Sequence, residues 1–246
     1  MMASTSASSK GSADICPLAI ICQNGDIILA VGPKAKIQVT SDFLKHVSPV
    51  FQAMLDGPMR EGEAFRNRPH NSPITISLPV DNALAMRRLL RILYGADDMD
   101  LDFEAVYDVL VLADKYDMTK RLKTFGFGWV RLDIDDDHPF DVDIRDYWEK
   151  LVIAHMLGDS MAFFQISCRV SQSTKALLDW ALDLPDQLLG LKLAMAIDEL
   201  RDDNSDEDYS MGLCLDCFKT AKNSFLDKQH GCALEDFHRC WWENQQ

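Results

Sequence analysis

The 246 residues carry 39 acids against 25 bases, a formal net charge of −14, with 47% hydrophobic and 26% charged residues. That balance describes a globular chain with ample core and excludes wholesale disorder. It argues against direct binding to nucleic-acid phosphates, because no segment gathers the bases into a stripe, and no apolar run approaches the ~20 residues of a membrane span.

The opening MMASTSASSKGSAD (1–14) is rich in Ser and Ala and has no apolar stretch of its own. It is expected to be a disordered tail rather than a signal peptide. Residues 14–23, DICPLAIICQ, carry an apolar core at Leu18–Cys22 that suits docking as a short strand or helix. Seven scattered cysteines, an odd number, fit a reducing compartment, and so the cytoplasm and/or nucleus.

DIILAV (26–31) is short, apolar and β-branched, which predicts a buried strand. GPKA (32–35) is a turn and 36–40 the answering strand of a hairpin. The period then changes. Phe43, Leu44, Val47, Val50, Phe51, Met54 and Leu55 recur at helical steps, with Ser41 or Asp42 as the expected cap. Pro49 after Ser48 is placed to open a second helix to Leu55. DGPMREGE (56–63) is expected to break it and FRNRPHNSP (65–73) to be a polar loop. ITISL (74–78) alternates as a half-buried strand, with Ile74, Ile76 and Leu78 inward. Helical periodicity returns with Met86, Leu89, Leu90 and Leu93, then with Val106, Val109, Leu110 and Ala113.

These elements predict a small α+β domain over 24–131, after the tail and N-terminal element of 1–23. Acidic LDIDDDHPFDVD (132–143) is the expected boundary. A helical extension follows over 144–200: helices at 145–158 and 160–171 joined at Gly158–Asp159, a third with Leu177, Trp180, Ala181 and Leu184, and a fourth opened by Pro185 with a stripe of Leu189, Leu193, Ile197 and Leu200. RDDNSDEDYS (201–210) is a second linker, before a Cys-rich helical tail at 211–246.

The pieces GDIILAVG (25–32), IQVTSDFLKHVSPVFQAML (37–55), ITISLPVDNALAMRRLLRILYG (74–95) and VYDVLVLADKYDMTKRLK (106–123) occur in an order that resembles the BTB/POZ domain. Their phrasing is similar to the single-BTB proteins of filamentous fungi. The resemblance implies a helical hairpin packed on a small sheet, with a helical region following. It also implies a protein-interaction module that self-associates. Many members present a substrate to a cullin-type ubiquitin ligase scaffold; others recruit corepressors or assemble channels. In cullin-recruiting members a hydrophobic–x–Glu turn sits after the second helix, and Met59-Arg60-Glu61 matches it here. Physically, a Met on a loop is an adaptable knob for a partner groove. Most apolar residues of 43–55 are expected in the core, with one or two of Val50, Phe51, Met54 and Leu55 facing out beside Met59 and Glu61. Asp26 stands where, in corepressor-recruiting dimers, an acid pairs with a base. The base position is Ser41 and the residue before it Thr40 rather than His, so no charged pocket is expected.

Asp133, Asp135 and Asp137 alternate like an EF-hand loop, but His138 replaces the turn glycine and Ile144 the bidentate acid. A solvated linker is expected, with no metal. Cys214, Cys217, Cys232, His238 and Cys240 offer soft ligands for a structural zinc. Their second half is oddly spaced, and Phe218, Leu226, Leu234 and Phe237 interleave with them at helical steps, so small buried hydrophobes are the alternative. His155 shares a helix face with Trp148, Leu151 and Val152 and is expected to be a hydrogen-bonded core residue. No nucleophile motif, Gly-rich phosphate loop or H-E-x-x-H run is present. The sequence predicts a non-enzymatic protein with no cofactor. Its expected role is adaptor for a cullin-type ligase, with an oligomerisation scaffold lacking cullin contact, or a zinc-stabilised regulator, as alternatives.

Overall fold

The computed structural model describes residues 18–69, 72–95, 100–132, 143–203 and 211–227. The chain divides into two compact units, one up to Tyr94 and one from Gly95.

The first unit is built on four strands: β1 (Leu18–Ile20), β2 (Ile27–Val31), β3 (Ala35–Val39) and β4 (Ile74–Leu78), in the order β1-β3-β2-β4. β2 and β3 form the expected hairpin, Leu29 opposite Ile37. Its turn uses Gly32 at φ +58°, a region where a side chain is strained. β4 runs parallel to β2, with Leu29 opposite Ile76. The apolar segment near the N-terminus takes the strand alternative and lies parallel along β3, Ala19 opposite Ile37. Alternation buries Ile27, Leu29 and Val31 of β2 with Ile37 and Val39 of β3. In β4, Ile76 and Leu78 are buried as expected, whereas Ile74 is half-buried.

Helices α1 (Ser41–Val47), α2 (Pro49–Asp56), α3 (Arg60–Arg66) and α4 (Ala83–Leu93) complete the unit. The cap of α1 lies one residue earlier than expected: Thr40 Oγ1 accepts from the Phe43 N–H at 3.3 Å. Ser41 is inside the helix, buried, with its hydroxyl committed elsewhere. Ser48 ends α1, donating its N–H to the Leu44 carbonyl, and starts α2, its hydroxyl accepting from the Phe51 N–H at 3.0 Å. Pro49 takes the first helical position, where a missing N–H costs nothing. α2 breaks at Asp56 as expected, but α3 replaces the first part of the expected polar loop, forming from Arg60 to Arg66. Its acids Glu61 and Glu63 lie in the first turn and Arg66 in the last, which suits the helix dipole. Gly62, a poor helix former, is required by packing: a Cβ there would lie 2.4 Å from the Gly57 carbonyl oxygen.

The second unit is helical: α5 (Phe103–Lys115), α6 (Thr119–Leu122), a 3-10 turn (Gly126–Val130), α7 (Ile144–Leu157), α8 (Ser160–Ser171), α9 (Leu178–Asp183), α10 (Gln187–Asp203) and α11 (Leu215–Thr220). α5 ends in Asp117 at φ 51°, with the Met118 N–H bonded back to Ala113. A short polar side chain tolerates that conformation. Gly158 at φ +67° ends α7 and Asp159 caps α8 through the Ala162 N–H. α10 starts two residues after the expected opening at Pro185 and is capped by Asp186, which accepts from the Leu189 N–H at 3.0 Å. The core is Trp148, Leu151, Phe163, Ile166, Leu193 and Ile197. Residues 133–142 and 204–210, where the acidic linkers are expected, lie outside the described residues, as do the tail at 1–17 and the segment 228–246.

Candidate partner-binding surface

The double role of Ser48 sets the rotation of α2. Phe51 and Leu55 point into the core at 0% and 1% exposure. Both leave the set of candidate contact residues, because a side chain filling the space between helix and sheet cannot also meet a partner. Val50 is exposed at 37%, and Met54 is half-buried.

Past Gly57 and Pro58, Met59 stands at the N-terminus of α3, 52% exposed and making no side-chain capping bond. Glu61, half-buried, lies in the first turn of the same helix. Thus Val50, Met54, Met59 and Glu61 remain at the surface of α2 and α3, three apolar side chains and one carboxylate.

Charged contacts hold the two helices in place. Arg66 donates to the Gly57 carbonyl at 3.0 Å and the Asp56 carbonyl at 3.4 Å, satisfying the end of α2. Lys45 pairs with Asp56 at 2.5 Å. The Phe65 ring has the Lys45 ammonium 5.1 Å from its centre and the Arg68 guanidinium at 4.0 Å, within cation–π range.

Arg68 also overturns the expectation about Asp26. That carboxylate accepts from the Ser41 N–H at 2.6 Å, from the Ser41 hydroxyl at 2.8 Å and from Arg68 Nη1 at 2.7 Å. Partial burial works against its charge, yet the Arg68 and Ser41 hydrogen bonds prevail and hold its carboxyl below the usual range. The base comes from a segment 42 residues away, read in sequence only as a polar loop. Nothing in the local sequence around Asp26 or Ser41 points to Arg68.

Cys214 and Cys217 are buried against Phe164, as the hydrophobe alternative requires, while Cys232, His238 and Cys240 lie outside the described residues. No group of three or more His, Cys, Asp or Glu side chains among the described residues can hold a metal. The EF-hand-like acids at 133–137 are also outside them. His155 does not meet its expectation of a hydrogen-bonded core residue: its buried Nδ1 has no partner. The ring sits 5.4 Å from Phe218 and 6.2 Å from Phe163. Desolvation, then Lys219 and Lys192, push its pKa down to about 4.

A family model of the BTB/POZ domain matches residues 22–125. No curated protein matches the chain. Residues 22–125 are a BTB/POZ domain, a protein-interaction fold of small sheet and helices, and a helical region follows it.

Proposed function

We propose that this protein is a non-enzymatic adaptor of the cytoplasm or nucleus, whose BTB/POZ domain engages a cullin-type ubiquitin ligase scaffold through the surface of α2 and α3. The observation that carries the reading is Met59, an exposed apolar side chain at the start of a helix braced by Arg66, Lys45 and Arg68. The braced helix start loses little backbone freedom on binding, while the Met59 side chain itself adapts to the partner groove. Glu61 supplies the carboxylate that fixes register, and Val50 and Met54 widen the apolar contact. The helical region would hold the substrate. Catalysis would then belong to the ligase, and this chain would act by raising the local concentration of substrate.

The test is calorimetric titration of the chain with a cullin N-terminal domain, alongside Met59→Asp. The expected result is micromolar binding weakened at least about tenfold by the substitution, since a buried unpaired charge costs well over the ~1.4 kcal/mol that tenfold represents. Failure of the unsubstituted chain to bind would refute the reading. A self-associating scaffold without cullin contact is the second reading. It is favoured by β1, an edge strand with Leu18 and Ile20 exposed, since an edge offers its unpaired backbone to another chain.

A further inference from the structure

We infer that the surface of α9 and α10 is a docking site for a basic amphipathic helix. This rests on the adaptor reading only in calling the bound protein a substrate. Gln187 donates from its amide to the Leu182 carbonyl across the turn between the two helices, at 3.1 Å. The backbones meet just beyond it, where a Cβ on Gly190 would lie 2.2 Å from the Ala181 carbonyl oxygen. Leu182 and, one turn back, Leu178 are exposed on α9. On α10, Leu188 is 78% exposed and Met195, two turns on along the same face, 63%. Four large apolar side chains thus face solvent on two packed helices, while the opposite face of α10 fills the core with Leu193, Ile197 and Leu200.

Charge selects the occupant. Residues 178–203 contain seven acids and two bases. The Lys192 ammonium keeps its charge 4.6 Å from the centre of the neutral Phe218 ring, and Arg201 is paired with Asp198; of the acids, Glu199 accepts from Ser224 and Phe225 and Asp186 from the Leu189 N–H, so the acidic margin is carried by α9. Asp179 and Asp183 are exposed beside Leu178 and Leu182. Exposed apolar pairs on two adjoining helices, with an acidic margin along α9, are complementary to a helix whose apolar stripe is flanked by Lys or Arg. The net charge of −14 would steer such a partner from a distance. An acidic or uncharged helix would gain neither effect.

The test uses the full chain and a fluorescein-labelled amphipathic peptide of about 14 residues, with Leu at helical spacing and Lys elsewhere, read by fluorescence anisotropy. A second peptide has the same composition scrambled to destroy the stripe. Expected are micromolar binding of the first, binding at least about tenfold weaker for the second, and a loss of about tenfold for Leu188→Glu/Met195→Glu. The pair Leu178→Glu/Leu182→Glu gives an independent second variant, with far-UV circular dichroism to confirm that each is folded. The variants make the protein more acidic, so simple charge attraction would strengthen binding where the proposal requires loss. Equal or tighter binding by both folded variants, no discrimination between the peptides, or no binding would each overturn it. Met59→Asp is expected to leave peptide binding unchanged, so loss of cullin binding and loss of this surface are separate results.

Discussion

His155 makes the stability of the helical unit depend on pH, and the size of the effect follows from its surroundings. Burial, with Lys219 and Lys192 nearby and Asp186 opposing them, lowers its pKa from 6.5 to about 4. The folded state therefore binds this proton less readily than the unfolded state. The neutral ring's full contribution is present above pH 6.5 and is lost as pH falls toward 4. At about 1.4 kcal/mol per pKa unit, the loss approaches ~3 kcal/mol below pH 4, and by pH 5 it is already about 2 kcal/mol. His155→Leu removes the titrating group and the unpartnered Nδ1 together, at similar side-chain volume. All five tryptophans lie at or beyond Trp129, so urea unfolding followed by tryptophan fluorescence reports on the second unit. Between pH 7.5 and pH 5 the natural chain is expected to lose about 2 kcal/mol relative to the variant. Parallel stability curves over that range would refute the argument, whatever the offset between them, because an offset measures packing and only the divergence measures the buried proton site.

Within α2, Phe51→Ala is expected to cost about 3–5 kcal/mol of stability, whereas its exposed neighbour in Val50→Ala changes stability by less than about 0.5 kcal/mol and weakens only partner binding; equal urea midpoints for the two variants would contradict the rotation of α2. Arg68→Ala leaves Asp26 with Ser41 alone and is expected to destabilise the first unit by about 1 kcal/mol, the pair being partly solvated. Because Asp26 titrates below its ordinary 3.8, the stability linked to that shift is fully present above this value and is lost as pH falls through the folded pKa, so circular dichroism should show a smaller acid-induced loss in the variant. Gly62→Ala drives a methyl toward the Gly57 carbonyl oxygen and should destabilise by about 1–3 kcal/mol, despite alanine's better helix propensity; a stabilised protein in chemical denaturation would show that α3 can shift freely.

Local pattern carried much of the architecture. Length and composition placed the strand at 26–31, alternation placed Ile76 and Leu78, helical spacing placed Phe51, Met86 and Leu193, and Ser48-Pro49 marked a helix junction, because each is a preference of a few neighbouring residues acting on their own backbone. The ordered pieces also carried the BTB/POZ domain matched at residues 22–125. Tertiary structure decided the rest. α3 forms where glycine and proline argue for a loop, since close packing of α3 on the end of α2 replaces the missing propensity. Asp26 is paired because Arg68, far along the chain, returns to it. Which of Val50, Phe51, Met54 and Leu55 face solvent depends on the rotation of α2 against the sheet, a quantity of a few tens of degrees that a stripe two residues wide does not specify. His155 and the solvent-facing side of α10 are likewise products of what packs against them. Sequence determines which residues prefer strand, helix and cap, because those choices are local; which side chains are buried, paired or offered to a partner is set by contacts between segments distant along the chain.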